Sequence, residues 1–371
     1  VRLALVRQRY NPFGGAERFI ERAISALERG GTEVTVITRA WGTDGGRRAL
    51  IVDPPYVGRL WRDVSFSRGV RALLGREKFD LVQSHERIPG CDVYRAGDGV
   101  HRQWLAHRAK DAALAERIGI RLNPYHWYTC AAERVMFEHP GLRAVICNSE
   151  MVAAEIRRHF RISSDKLHVI YNGVDLDHFH PDRRNLLRVQ ARAEFGCKEG
   201  DKVFCFVGSG FARKGLAAAI DALAASGRED FRLVVAGRDR AESGFRARAA
   251  AAGVAGRVVF LGGREDVRPV YAAADCFILP TRYDPFPNAA LEALAMGVPV
   301  IVSSQCGAAE VVEPGVNGWV CAPGEADPIS GLMLEAAKAA GPGMSGAARR
   351  TAEGYGIEGM ADRMTRLYEL L

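Results

Sequence analysis

A twice-repeated alternation of short apolar runs with stretches of helical period constrains this chain more than any other feature. In the first series Val1–Val6 reads as a strand and the turn NPFGGAER follows it. An amphipathic helix comes next, with Phe19, Ile20, Ala23, Ile24 and Leu27 on its apolar side. Gly30-Gly31 ends that helix, and Glu33–Thr38 (EVTVIT), Leu50–Val52, Leu81–Gln83 and Ala144–Cys147 continue as strands. The second series runs Val203–Gly208 (VFCFVG), Arg232–Ala236, Val258–Leu261, Cys276–Leu279 and Val298–Ser303 as strands. Helices are expected over Gly215–Ala225, Asp266–Ala273 and Asn288–Met296 between them. Strands and helices of these lengths in alternation build parallel sheets covered on both faces. The expectation is an α/β fold of two Rossmann-like domains facing a cleft. A polar, charged stretch, roughly 178–202, separates the series and places a linker near Asn172-Gly173. The domains are therefore 1–172 and 173–371.

Composition removes other classes. Apolar residues are 48% of the chain and charged residues 26%, which excludes wholesale disorder. No apolar run approaches the roughly 18 residues of a membrane-spanning helix. The first residues, VRLALVRQRYNPFGG, are too charged and strand-like for a signal peptide. The cysteines show no CxxC spacing, so neither a zinc nor a redox motif is present, and reduced cytosolic thiols are expected. Charge is uneven. Residues 1–172 hold 28 Lys+Arg against 19 Asp+Glu, whereas residues 173–371 hold 23 against 25. A basic first half suits an anionic partner, although an Arg-rich composition alone produces the same count.

Ligands of open α/β sheets sit beyond the carboxyl ends of the strands, so the loops that follow strands carry the chemistry. The loop Asn11–Arg18 places Gly14 and Gly15 ahead of a helix N-terminus, where backbone N–H groups attract anions. The loop Gly208–Gly215 (GSGFARKG) is neither a Walker A loop nor GxGxxG. It leaves Arg213 and Lys214 beside a helix start, a fork and a point charge suited to a diphosphate. The third loop, PTRYDPFPNAALEALAMGVPV, sets Asp284 and Glu292 eight residues apart, with Asn288 as the expected helix cap. Two such acids can serve one pocket and accept hydrogen bonds from vicinal hydroxyls.

The string DPFPNAALEALAMGVPV resembles the E-x7-E donor motif of retaining GT-B glycosyltransferases of family 4, with Asp284 in place of the first Glu. The Arg213-Lys214 pair, the FGGAER turn, PGCDVYRAGDGVH and FLGGREDV extend the resemblance over nearly the whole chain. It is strongest to members that add glucose to the lipopolysaccharide core. The resemblance implies a GT-B fold whose last helix, about 357–371, crosses back to the N-terminal domain. It implies that Gly14 and Gly15 lie against donor phosphate and sugar. Arg213 and Lys214 would bind the diphosphate, and Arg264 would sit near the nucleobase. Asn288, Ala289 and Ala290 would present backbone N–H groups, Glu292 would hold ribose hydroxyls, and Asp284 would contact the transferred sugar. Asp98 would lie near the acceptor hydroxyl. Asp284 is one methylene shorter than the usual Glu, which bears on the sugar accepted. His85 either borders the acceptor or is structural.

The activity implied is retaining transfer of a hexose, glucose by resemblance, from a UDP-sugar to a glycan or lipid-linked glycan acceptor. No metal and no cofactor is expected, since positive side chains and helix N-termini suffice to stabilise the leaving nucleotide. The stretch 101–134 interleaves Arg and Lys with Trp104, Tyr125, Trp127 and Tyr128, which suits an anionic membrane surface better than nucleic acid; an ordinary helical excursion with its aromatics in the core is the structural alternative. The resulting expectation is a cytoplasmic enzyme, peripheral on the inner face of the cytoplasmic membrane, with no nucleic-acid partner. An exopolysaccharide or small-molecule acceptor, or a non-catalytic nucleotide-sugar sensor, are the alternatives.

Overall fold

The computed structural model describes residues 1–8, 23–40, 48–110 and 112–371. They divide into two compact units, Val1–Tyr171 with Glu358–Leu371, and Asn172–Ile357.

The first unit is built on a seven-stranded parallel sheet. Its strands are β1 (Arg2–Val6), β2 (Glu33–Thr38), β3 (Ala49–Ile51), β4 (Leu81–Ser84), β5 (Val93–Arg95), β6 (Ala144–Cys147) and β7 (Leu167–Val169). Their order is β3-β2-β1-β4-β5-β6-β7. β1 and β6 are buried almost end to end, as continuous apolar runs in the middle of a two-faced sheet must be. Ala4, Val6, Ile37, Phe66 and Val70 pack on one side of the core. Tyr94, Met136, Phe137, Val145 and Ile156 form a second cluster.

The helix Ile357–Leu370 completes this unit. It buries Met360, Ala361, Met364, Leu367 and Tyr368, the i, i+1, i+4, i+7, i+8 stripe of one helical face. Its Tyr368 hydroxyl donates to Gln83 Oε1 at 2.6 Å, and Met360 and Met364 pack their sulfurs against the buried Arg95 guanidinium.

The second unit holds a six-stranded parallel sheet of β8 (Lys202–Val207), β9 (Phe231–Ala236), β10 (Val258–Phe260), β11 (Cys276–Leu279), β12 (Val300–Ser303) and β13 (Gly318–Cys321), in the order β10-β9-β8-β11-β12-β13. The polar stretch expected merely to separate the series contains the helix Pro181–Glu194. Its inner face sets three arginines beside its one buried residue, Ala191. Arg184, Arg188 and Arg192, four apart, donate to the carbonyls of Ala272, Ala273 and Ala274 at the end of helix Arg268–Ala273. Arg188 also pairs with Asp275 at 2.6 Å. These orphan carbonyls need donors, and arginine supplies them at helical spacing. Three short strands, β5, β7 and β13, also go beyond the sequence expectation.

The contact between Tyr368 and Gln83 generates a stability prediction. Gln83 is fully buried, so Tyr368→Phe strands its amide oxygen and costs about 1–3 kcal/mol. Urea unfolding should show a lowered midpoint, and an unchanged midpoint contradicts the assignment.

Candidate active site

The strand order of the second sheet reverses between β8 and β11, so two loops leave neighbouring strands in divergent directions and open a crevice. One is Gly208–Gly215, the other 280–287. They are stapled together through one carbonyl. Arg213 O accepts from Thr281 Oγ1 at 3.0 Å and from the Arg282 N–H at 2.8 Å. Gly215 makes this possible. A Cβ there would stand 2.0 Å from Pro280 O, and its φ is +83°. Asp239, after β9, accepts from the Phe211 N–H at 2.7 Å and holds the start of the short helix Phe211–Lys214.

The basic pair converges on one acid. Lys214 Nζ lies 2.8 Å and Arg213 Nη1 3.2 Å from Asp284 Oδ2, and Arg213 Nη1 also donates to Tyr283 O at 2.7 Å. The Lys214 stem folds across Gly208, where a Cβ would meet Cε at 2.7 Å. Burial alone would raise the Asp284 carboxyl. The charges and hydrogen bonds of Lys214 and Arg213 outweigh it and hold the group below its usual range. Two cations and one carboxylate leave one net positive charge at a crevice lined by helix starts. Asp284 itself is fixed by an isolated parallel bridge to Cys306.

The helix Asn288–Ala295 begins differently from the expectation. Pro287 occupies the cap position with extended geometry and no side-chain cap bond, and Asn288 is the first helical residue. The Asn288 side chain is engaged elsewhere, its Oδ1 accepting from Asn172 Nδ2 at 2.8 Å, while Asn172 also donates to Phe286 O at 3.0 Å. The N–H groups of Asn288 and Ala289 belong to the first turn, which lacks intrahelical acceptors. Ala290 N–H turns back to Pro287 O at 3.1 Å. Glu292 lies in the second turn, half-buried, with Oε2 accepting from the Tyr271 hydroxyl at 2.8 Å. Tyr271, fully buried on helix Arg268–Ala273, and Asn172 are site residues that sequence reasoning missed. Asn172 stands in YNGVD, a turn-like string ahead of the second unit; Tyr271 carries no motif.

The remaining residues fall elsewhere. Arg264 pairs with Glu194 at 2.7 Å and lies over the Phe195 ring, both at the end of helix Pro181–Glu194. Its partners are not those of Arg213, Asp284 or Glu292. Asp98 is exposed in the loop after β5, near Arg87, which donates to Gly99 O at 3.5 Å and pairs with buried Glu133 at 2.9 Å. His85, at the end of β4, is buried. Desolvation, then the nearby Arg7 and Arg95 charges, push its pKa well below the ordinary histidine value, so it is neutral near pH 7. Its ring nitrogen contacts Gln83 Nε2 at 3.1 Å. Gly14 and Gly15 lie outside the described residues.

Known proteins share this fold. The family described as Glycosyltransferase Family 4 matches residues 13–178, and Glycosyl transferases group 1 matches residues 188–340. The lipopolysaccharide glucosyltransferase WaaG of Escherichia coli (strain K12) is 28% identical over 325 residues, covering 86% of this chain and 85% of that protein. The D-inositol 3-phosphate glycosyltransferase of Mycobacterium sp. (strain KMS) is 30% identical over 342 residues, covering 82% and 73%. Among solved structures, WaaG, a glycosyltransferase involved in lipopolysaccharide biosynthesis, superposes with a TM-score of 0.84 at 26% identity over 99% of both chains. Anabaena Alr3699/HepE in complex with UDP-glucose shares the fold, with a TM-score of 0.75 at 20% identity over the whole of both chains. Two parallel Rossmann-like sheets, a basic pair facing an acid at the switch point and this agreement over both halves make the chain a member of the GT-B glycosyltransferases, with a family 4 N-terminal half and a group 1 C-terminal half.

Proposed function

We propose that this glycosyltransferase moves a hexose, glucose, from a UDP-sugar to a glycan acceptor of the lipopolysaccharide-core kind, with retention and an α-linkage. The observation that carries the reading is the convergence of Arg213 and Lys214 on Asp284 at the switch point of the second sheet. The named activity of WaaG and the UDP-glucose bound by HepE support the donor and acceptor classes.

Cleavage of the sugar–phosphate bond builds positive charge on the sugar and negative charge on the departing nucleotide. Arg213, Lys214 and the first amides of helix Asn288–Ala295 are placed to stabilise the latter, so the reaction calls on no metal. Asp284 then releases its two cations to the diphosphate and turns to the hydroxyls of the transferred sugar. Glu292, oriented by Tyr271, holds the ribose. Asp98 aligns the acceptor hydroxyl, whose proton passes to the leaving phosphate on the same face. Arg264 is assigned to the nucleobase and Gly14 and Gly15 to the donor's phosphate and sugar. The inositol-phosphate relative favours a second reading, a small phosphorylated acceptor, which the basic first half would also attract.

The helices His101–Lys110, Leu114–Leu122 and Pro124–Phe137 form the proposed contact with an anionic membrane, on its cytoplasmic face. Leu114, Ile118, Leu122 and Trp127 are exposed among Arg102, Arg108, Lys110, Arg117 and Arg121. No helix among the described residues is long and apolar enough to cross a membrane.

Five outcomes test the reading. In a thermal-shift panel of UDP, GDP, ADP and dTDP sugars, UDP-glucose should stabilise the protein most, by mass action. Arg213→Ala and Lys214→Ala should each lower transfer on the order of 10²–10³-fold, and near wild-type transfer by the double variant removes the pair from the mechanism. Glu292→Gln should weaken UDP by roughly 1.5–3 kcal/mol in calorimetry. Asp284→Asn should leave UDP affinity no weaker and still reduce transfer. Finally, replacing Arg102, Arg108, Lys110, Arg117 and Arg121 by Gln should lower co-sedimentation with anionic vesicles several-fold or more, since each contributes up to about 1 kcal/mol at low salt. Wild-type protein that ignores such vesicles at low salt ends the membrane reading.

A further inference from the structure

The same three helices line an open pocket of about 670 Å³. That is the size of a small-molecule site, roughly 300–1,000 Å³, and too large for a packing defect. Its floor is apolar, with Leu105, Ile118, Ile120 and Trp127 among its walls, while Arg102, Arg117 and Arg121 also line it and no acid does. Helix Leu114–Leu122 has no buried residue at all. Leu114, Ile118 and Leu122, four apart, are 72%, 50% and 64% exposed. A helix with so uncovered an apolar stripe lacks the burial that ordinarily holds a helix in place, and Leu114 and Ile118 of that stripe line the pocket. Among the described residues of 101–122 the one acid is Glu116, and Arg108 binds it at 2.9 Å. Of the groups that line the pocket itself, Arg102, Arg117 and Arg121 carry fixed charge and all three are cationic. Apolar walls together with three guanidinium groups match a hydrocarbon chain carrying an anionic head, and guanidinium groups bind phosphate oxygens in pairs.

We propose that this cavity binds one acyl chain of an anionic phospholipid, with the phosphate held by Arg102, Arg117 and Arg121. The proposal rests on the membrane reading above and sharpens it, from adsorption onto a charged surface to capture of a single lipid. The chain displaces water from the apolar walls and supplies the cover that helix Leu114–Leu122 lacks, while the arginines set the depth of the headgroup.

The cavity carries its own reporter. Cys130 lines it and is partly exposed, whereas Cys197, also partly exposed, belongs to the other unit. Burial pushes the Cys130 thiol above its ordinary pKa, so alkylation is run at mildly alkaline pH. The full chain is titrated with monoacyl phosphatidylglycerol below its critical micelle concentration, and alkylation is followed residue by residue by mass spectrometry. The expected result is saturable protection of Cys130 but not Cys197, with one lipid per chain in native mass spectrometry. Glycerol 3-phosphate should not protect, and monoacyl phosphatidylcholine should bind at least several-fold more weakly. Ala109→Phe, which fills the cavity and keeps every charge, should lose saturable lipid binding by tenfold or more yet still co-sediment with anionic vesicles. Absence of protection in the wild-type protein overturns the proposal, as does equal protection by glycerol 3-phosphate or by the zwitterionic lipid. Vesicle binding without Cys130 protection overturns the cavity and leaves the membrane face standing. One-to-one lipid capture without vesicle binding does the reverse.

Discussion

The approach of two backbones at Gly215 and Pro280 is the constraint on which the candidate site depends. With no Cβ at 215, the loop after β8 lies directly on the loop after β11, and the Arg213 carbonyl becomes a shared acceptor for Thr281 and Arg282. That contact brings Arg213 and Lys214 within bonding distance of Asp284, seventy residues later in the chain. Without it the two basic side chains would be solvated surface charges of little energetic consequence. With it they are cations held near a buried carboxylate, and removing either partner leaves an uncompensated charge in a poorly solvated crevice. The site is thus pre-loaded. Its internal carboxylate occupies both cations.

Legibility in the sequence followed the range of the interaction responsible. Central strands such as β1, β8 and β12 are continuous apolar runs and are apparent from composition alone. β5, β7 and β13 are three or four residues long, and their pairing neighbours create them. The helix Pro181–Glu194 was obscured for a chemical reason. Its packed face is a row of arginines bound to carbonyls, and a search for apolar period passes over it. In the candidate site, motifs identified the loops but not their pairing. GSGFARKG and TRYDPF are each visible, while the bond between Lys214 and Asp284 belongs to the tertiary structure. Tyr271 and Asn172 act on Glu292 and Asn288 through single long-range hydrogen bonds, for which no local pattern exists.

The expected cap at Asn288 shows the same limit from the other side. Asparagine before a helix is a sound local signal, yet Pro287 already presets the extended entry. The asparagine amide is thereby released to bond Asn172. Local propensity describes what a residue can do, and the neighbours decide which of its capacities is used.

The helix Ile357–Leu370 has a consequence for how the protein is made. Residues 358–371 belong to the unit formed by residues 1–171, and everything between them and that unit is synthesised first. A chain still emerging from the ribosome therefore carries a first sheet whose Gln83 and Arg95 have no cover from Tyr368, Met360 and Met364. The second unit, contiguous from Asn172 to Ile357, has no such dependence. Assembly order is thus inverted relative to synthesis order: the half that begins first is finished last. An incomplete chain exposes this gap to chaperones and proteases.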